Sequence, residues 1–91
     1  MTKTESMAMV VIGRVQGVGF RYYTQRKAKE LGIKGFVQNR PDGSVYIEGE
    51  GDPALLSDFI QWCRKGPPWA RVSQVILSSL PPVGYQEFSI R

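Results

Sequence analysis

The fold of this chain is organised around one glycine-rich stretch, Gly13-Arg14-Val15-Gln16-Gly17-Val18-Gly19-Phe20-Arg21. An apolar run of strand length, Met7 to Ile12, precedes it, and residues at helical spacing follow it. The backbone N–H groups of such a turn can converge on one point, where the amino end of the helix adds a partial positive charge. The guanidinium of Arg21 adds a full charge and a planar set of donors suited to phosphate or carboxylate. The stretch therefore predicts a small oxyanion pocket, with phosphate as the favoured ligand.

Two better-known phosphate loops do not fit this stretch. The glycines at positions 13, 17 and 19 lack the G-x-G-x-x-G spacing of a dinucleotide-binding turn, and no Gly-Lys-Ser/Thr follows as in a P-loop. The glycines alone fit equally well with a turn that needs them only for positive φ angles. Arg21 favours the anion site, because a cation in the first helical turn opposes the helix dipole unless an anion lies between them.

The length and composition of the chain fit one globular domain. The chain has 91 residues, of which 42% are hydrophobic and 22% charged, as is typical of a water-soluble fold. Met1 to Ser6 is polar and lacks periodicity, so we expect a flexible leader at 1–6 and a single domain at 7–91. No apolar run is long enough to cross a bilayer and no signal-peptide pattern is present, so we expect no membrane contact.

The net charge and the reactive residues narrow the classes of function. The net charge of +4 fits an anionic partner, either a small phosphate compound or nucleic acid, although a modest positive excess also serves solubility alone. The chain has one cysteine, Cys63, and no histidine. An internal disulfide is thereby excluded and a zinc site is not expected, which favours a cytoplasmic location.

Hydrophobic periodicity predicts the first helix and a hairpin. Helical spacing from Phe20 to Leu31 ends at Gly32, a typical C-terminal stop. Two alternating segments, Ile33 to Asn39 and Ser44 to Glu50, flank a Pro-Asp-Gly turn at positions 41–43. Strands on either side of such a turn predict a β-hairpin.

A second helix is predicted between Asp52, which can cap its start, and Gly66, which stops it. A strand over residues 72–77 and a short final strand within residues 85–90 complete the chain. The order strand, helix, strand, strand, helix, strand predicts an α+β fold, the ferredoxin-like βαββαβ sandwich, with an antiparallel sheet and two helices on one face. The apolar stripe of the second helix comprises Leu55, Phe59 and Trp62, with Leu56 and Cys63 beside it.

Outside the glycine-rich stretch, two residues need weighing as candidates for chemistry. Asn39 ends a strand just before the turn, where its amide can orient a water molecule, but asparagine is also a common strand terminator and turn former. Cys63 lies on the apolar stripe with no histidine to activate it, so we interpret it as a core residue and not as a nucleophile.

Aromatic and acidic residues give weaker signals. Three tyrosines can form a stacking platform for bases, but we expect them to complete the core and its rim: Tyr22, Tyr23 and Tyr46. Three carboxylates come close together in sequence and suggest either a weak metal site or, as we prefer, solvated charge: Glu48, Glu50 and Asp52.

Four separated segments of this sequence resemble the acylphosphatase family. The stretch from Gly13 to Arg21 resembles the signature loop of that family, and residues 31–45, 66–72 and 88–91 resemble three further segments in the same order and spacing. The resemblance covers about Met7 to Arg91. Phe36 stands where the family often has Trp, a departure that should alter packing more than chemistry.

The resemblance implies that the protein hydrolyses carboxyl-phosphate mixed anhydrides to a carboxylate and inorganic phosphate. It implies that Arg21 binds the phosphoryl group, that Asn39 positions the attacking water, and that no metal or cofactor is required. It further implies that loop amides hold the phosphate oxygens, those of Gln16, Gly17, Val18, Gly19 and Phe20. The expected partners are a small acyl phosphate and inorganic phosphate or another oxyanion, without nucleic acid, and we expect a monomer.

This chemistry is compatible with the absence of histidine. The leaving carboxylate has a conjugate acid with a pKa of roughly 4, so no strong general acid is needed. Phosphoryl transfer depends mainly on positioning and charge stabilisation, which amides, one arginine and one asparagine can provide.

Two alternatives remain at this point. An RNA-recognition-like domain has the same architecture, but it needs exposed aromatic residues on both central strands. The segment Met7 to Ile12 has no aromatic residue and Ser44 to Glu50 has only Tyr46. A catalytically silent module of the same family, regulatory or part of a larger carbamoyl-phosphate enzyme, is the second alternative, and the presence of both Arg21 and Asn39 argues against it.

Overall fold

A computed structural model describes residues 3–91 of the chain. These residues form two helices and five strands. The elements in chain order are β1 (Glu5–Arg14), α1 (Phe20–Leu31), β2 (Lys34–Asn39), β3 (Val45–Gly51), α2 (Pro53–Lys65), β4 (Arg71–Leu80) and β5 (Phe88–Ile90).

The strands form one mixed sheet in the order β4-β1-β3-β2-β5. The strand β1 is antiparallel to both of its neighbours, β3 and β4, and β2 is antiparallel to β3. The short β5 pairs with β2 in the parallel direction, with Gly35 opposite Phe88. The predicted ferredoxin-like arrangement is confirmed, but the expectation of a purely antiparallel sheet is wrong at this one edge, where the long connection after β4 brings β5 alongside β2.

The first strand begins earlier than the sequence predicts. Glu5 and Ser6, which we expected in a flexible leader, belong to β1. Ser6 pairs with Glu50 in β3 and with Leu80 in β4, and it is buried. Partners on both sides therefore extend the strand into a polar segment that has no hydrophobic period of its own. The first part of the expected leader, Met1 and Thr2, lies outside the described residues.

Both helices pack on one face of the sheet and enclose the core. Val11, Val37 and Ile47 of the sheet are fully buried against Ala28 of α1 and Phe59 of α2. The expected stripe of α2 is wrong in phase, because Leu56, Phe59 and Cys63 are buried while Leu55 is 40% exposed. Leu55 and Leu56 are adjacent, so helical periodicity alone cannot predict which of them is buried. Packing against the sheet buries Leu56.

The predicted ends of the helices are confirmed. Gly32 ends α1 in a left-handed conformation with a φ of 70°. Asp52 caps α2 by accepting a hydrogen bond of 3.0 Å from the N–H of Ala54, and Pro53 occupies the first helical turn. Over residues 3–91, neither helix is long and apolar enough to span a membrane.

The sheet topology brings the carboxyl ends of three strands to the same end of the sheet, which is called the site end below. Because β1 and β2 both run antiparallel to β3, they run parallel to each other, and β5 runs parallel to β2. The carboxyl ends of all three strands therefore lie together. At this site end lie the loop after β1, Asn39 at the end of β2 and Ile90 at the end of β5.

Candidate active site

The loop between β1 and α1 places the amino end of α1 at the site end of the sheet, where β1, β2 and β5 terminate. Gly17 and Gly19 adopt left-handed backbone conformations, with φ angles of 74° and 78°, which favour glycine. Gly19 is the N-cap of α1, and no side chain caps the helix there. The first N–H groups of α1 thus remain available to an anion, at the end where the helix dipole is positive.

Arg21 lies in the first turn of α1, which contains no acidic residue. Its Nη1 donates a hydrogen bond of 3.2 Å to the backbone carbonyl oxygen of Arg91, just beyond β5. One side of the guanidinium is thereby held by the chain that follows β5. The guanidinium and the helix end together form a concentrated positive site.

A cavity of about 210 Å³ connects the loop with the strand ends. It contains both predicted side chains, Arg21 and Asn39, together with three of the five loop residues whose amides we expected to hold phosphate. Gln16 and Val18 belong to the same loop but do not line this cavity. The lining residues are Val15, Gly17, Gly19, Phe20, Arg21, Tyr22, Asn39 and Ile90.

Three lining residues were not among the predicted site residues: Val15, which belongs to the glycine-rich stretch, Tyr22 and Ile90. Ile90 reaches the cavity only because β5 pairs with β2, a contact that no local pattern indicates. Tyr22 is 56% exposed, and we had assigned it to the core and its rim. Its position directly after Arg21 in the helix is the signal that could have identified it.

Asn39 is the last residue of β2 and pairs with Val45 of β3. Its side chain is half-buried, and within residues 3–91 no hydrogen bond engages its carboxamide. An amide of this kind offers both a donor and an acceptor to a ligand. The strand therefore presents to the cavity a polar group that is not used in holding the fold.

The turn that follows Asn39 is closed by its own hydrogen bonds. Asp42 Oδ1 accepts hydrogen bonds from the N–H and the hydroxyl of Ser44, over 2.9 and 2.6 Å. These bonds hold the pKa of Asp42 below its ordinary value. The N–H of Arg40 also donates to the carbonyl oxygen of Ser44 over 2.9 Å. The turn is thus a well-ordered support for the strand end.

The opposite face of the sheet carries an aromatic cluster whose tyrosine hydroxyls are already hydrogen-bonded within the protein. The hydroxyls of Tyr46 and Tyr85 donate to the carboxylate of Glu48 over 2.5 and 2.6 Å. Burial, followed by these bonds, raises the pKa of each tyrosine to about 12. The guanidinium of Arg40 covers the Tyr46 ring at 4.3 Å. Tyr46 is therefore not free for base stacking, as an RNA-recognition-like surface would require.

The other candidate residues have structural roles. Cys63 is fully buried and burial raises the pKa of its thiol, which confirms its interpretation as a core residue. The expectation of solvated charge is wrong for Glu50, which is buried and accepts hydrogen bonds from the N–H groups of Val83 and Gly84 over 2.7 and 2.8 Å. Within residues 3–91, no group of three or more potential metal-ligating side chains comes together.

Comparisons with known proteins give a consistent result. The family model described as Acylphosphatase matches residues 7–90. An acylphosphatase of Thermotoga maritima is 48% identical over 87 residues, which cover 96% of this chain and 97% of the relative. An acylphosphatase of Synechococcus sp. (strain WH7803) is 50% identical over 88 residues, which cover 97% of this chain and 88% of the relative. The crystal structure of acylphosphatase from Bacillus subtilis superimposes with a TM-score of 0.93 at 36% identity, covering 96% of this chain and 98% of that one.

Proposed function

The chain belongs to the acylphosphatase family, and from that premise we propose that Arg21 and Asn39 carry out the hydrolysis of acyl phosphates. The observation that supports this assignment is the shared cavity: Arg21, Asn39 and the uncapped start of α1 all line it. A silent module of the family would have no need of all three. The rest of the mechanism follows from the chemistry of the substrate.

The phosphoryl group is bound by charge and by amides. Its oxygens accept hydrogen bonds from the loop N–H groups over residues 16–20, and the helix end favours their negative charge. Among the described residues that line the cavity, Arg21 alone has a cationic side chain. Because charge spreads over the same oxygens in the transition state, these donors also stabilise that state.

The carboxamide of Asn39 holds the attacking water in line with the bond that breaks. The water oxygen bonds to phosphorus while the bond from phosphorus to the acyl oxygen breaks, and the carboxylate leaves with the electron pair. The proton of the water passes to a phosphoryl oxygen of the substrate. No protein base is required, because this phosphoryl oxygen takes the proton of the water. No general acid is required either, since the leaving carboxylate needs no protonation near neutral pH: its conjugate acid has a pKa of roughly 4.

The cavity volume of about 210 Å³ suits the phosphoryl group and only part of an acyl group. We therefore assign the enzyme a broad range of small acyl phosphates, with inorganic phosphate as product and competitive ligand. With its one cysteine buried as a core thiol, it suits the reducing cytoplasm, and we propose that it acts there as a monomer without a metal or cofactor.

Turnover of a synthetic acyl phosphate in the presence of EDTA tests this assignment. Arg21→Ala should lower kcat/KM by about 10²–10³ through the loss of charged donors. Asn39→Ala should lower kcat by about 10² while leaving KM nearly unchanged, because the water loses its orientation. The chelator should leave wild-type activity unchanged.

Arg26→Ala is the matched control, since Arg26 is exposed on the same helix and does not line the cavity. It should retain wild-type kinetics. Wild-type activity in both Arg21→Ala and Asn39→Ala would refute the assignment of the site, and loss of turnover with EDTA would refute metal independence.

A further inference from the structure

Gln16 ties the phosphate loop to the hairpin that carries Asn39. Its side-chain Nε2 donates two hydrogen bonds, one of 2.7 Å to the carbonyl oxygen of Arg40 and one of 2.8 Å to the carbonyl oxygen of Ser44. Arg40 directly follows Asn39, and Ser44 directly precedes Val45, the partner of Asn39 in β3. A single side chain thus holds both sides of the turn beyond the strand end.

The contact requires side-chain N–H donors, which the carboxamide of Gln16 supplies. Both acceptors are backbone carbonyl oxygens, which cannot donate, so the NH₂ group of Gln16 must face them. Each oxygen also accepts a bond within the turn, from the N–H of Gly43 at 3.1 Å and of Arg40 at 2.9 Å. A carboxylate at position 16 would place negative charge against two carbonyl oxygens, and a shorter amide would not span the same distance.

Within residues 3–91, no other hydrogen bond joins the loop at 15–19 to the turn at 40–44. The loop holds the phosphoryl group and the strand end holds the water, according to the function proposed above. The distance between phosphorus and water therefore depends on how these two segments are connected. An error of about 1 Å in such a distance can cost about 10²-fold in rate.

We propose that the Gln16 carboxamide is a positioning residue that sets the phosphate loop at the correct distance from Asn39. This role belongs to its side chain and is separate from any contact that its backbone N–H makes with phosphate. It rests on the function proposed above. It predicts a defect in turnover and not in phosphate binding, because Arg21 and the start of α1 remain in place when the side chain is changed.

The test compares Gln16→Met, which keeps the length and loses both donors, with Gln16→Glu, which reverses the polarity of the contact. Each should lower kcat by about ten- to a hundredfold, with the larger loss in Gln16→Glu. In Gln16→Met, which adds no charge, the inhibition constant for inorganic phosphate should change by less than about threefold, the level of one modest contact. Gln61→Met, at an exposed position of α2, is the control and should behave as the wild type.

A double-mutant cycle with Asn39→Ala separates positioning from a general loss of structure. If Gln16 acts through the water held by Asn39, adding Gln16→Met to Asn39→Ala should lower kcat little further. Multiplicative losses in the double variant, or equal losses in kcat and phosphate affinity, would overturn the proposal. Wild-type kcat in Gln16→Met would overturn it as well, whereas the assignment of the site to Arg21 and Asn39 fails if Arg21→Ala and Asn39→Ala both keep wild-type activity.

Discussion

The guanidinium of Arg21 donates through Nη1 to the carbonyl oxygen of Arg91, 70 residues further along the chain, over 3.2 Å. Arg91 is itself held in two ways. Its N–H donates to the carbonyl oxygen of Val37 over 2.8 Å, and its guanidinium lies over the Phe36 ring at 3.9 Å. Strand β2 therefore supports both Asn39, at its own end, and, through Arg91, the orientation of Arg21.

The stacking of Arg91 on Phe36 should contribute to phosphate affinity. Arg91→Ala keeps the backbone groups that contact Arg21 and Val37 but removes a cation–π contact worth about 0.5–1 kcal/mol. With Arg91 less firmly held, we expect the KM for an acyl phosphate and the inhibition constant for phosphate to rise about two- to fivefold. Steady-state kinetics with phosphate as inhibitor would measure both.

Arg64→Ala provides the control for charge, because Arg64 is exposed on α2 and its removal changes the net charge equally. If both variants weaken phosphate binding to the same extent, the effect comes from net charge and the support of Arg21 through Arg91 is refuted.

The left-handed conformation of Gly17 gives a second prediction. Gly17 and Gly32 have φ angles of 74° and 70°, and a methyl group added at either would contact nothing within 4 Å. Gly17→Ala and Gly32→Ala should therefore each cost about 1–2 kcal/mol of unfolding free energy from backbone strain alone. Only Gly17→Ala should also weaken phosphate inhibition, by about tenfold or more, because the proposed function places the amides of its loop around the phosphate.

Urea unfolding and phosphate inhibition of the two variants would separate strain from function. Equal stability losses with unequal phosphate affinities are expected. If the Gly17→Ala enzyme binds phosphate as the wild type does, phosphate binding by the loop does not depend on the left-handed φ angle of Gly17.

Those parts of the site that have a local signal were predictable from the sequence. The loop from Gly13 to Arg21 combines turn chemistry and a helix start within a few residues, and Asn39 precedes a strong turn. Helix ends at Gly32 and Asp52 follow from capping preferences that act over one turn. Each of these needs only the residues next to it.

Features that depend on distant partners were not predictable in the same way. The support of Arg21 by Arg91 spans 70 residues and uses a backbone oxygen, which every residue has. The parallel pairing of β5 and the burial of Leu56 in place of Leu55 are decided by the sheet. The burial of Glu50 likewise depends on backbone N–H groups of a loop more than 30 residues away.

Glu50 fixes the loop between β4 and β5 and should make stability depend on acid. Its carboxylate accepts hydrogen bonds from the N–H groups of Val83, Gly84 and Tyr85 and from the hydroxyl of Ser6. Burial by itself raises the pKa of Glu50, but these four donors outweigh it and hold the pKa below its ordinary value. The charged form is therefore favoured by folding.

Because the pKa of Glu50 is depressed in the folded state, its carboxylate contributes fully to the free energy of unfolding above the ordinary glutamate pKa of about 4.3. This contribution is lost as pH falls through the pKa of the folded state. At neutral pH, Glu50→Gln should lower the unfolding free energy by about 1–3 kcal/mol, since several donors lose a charged acceptor. Urea unfolding at several pH values should show this difference shrinking below about pH 4. Glu30→Gln, whose carboxylate is exposed in an i,i+3 pair with Lys27, should cost less than about 0.5 kcal/mol. A difference between wild type and Glu50→Gln that stays constant down to strongly acidic pH would contradict a charged Glu50 in the folded protein.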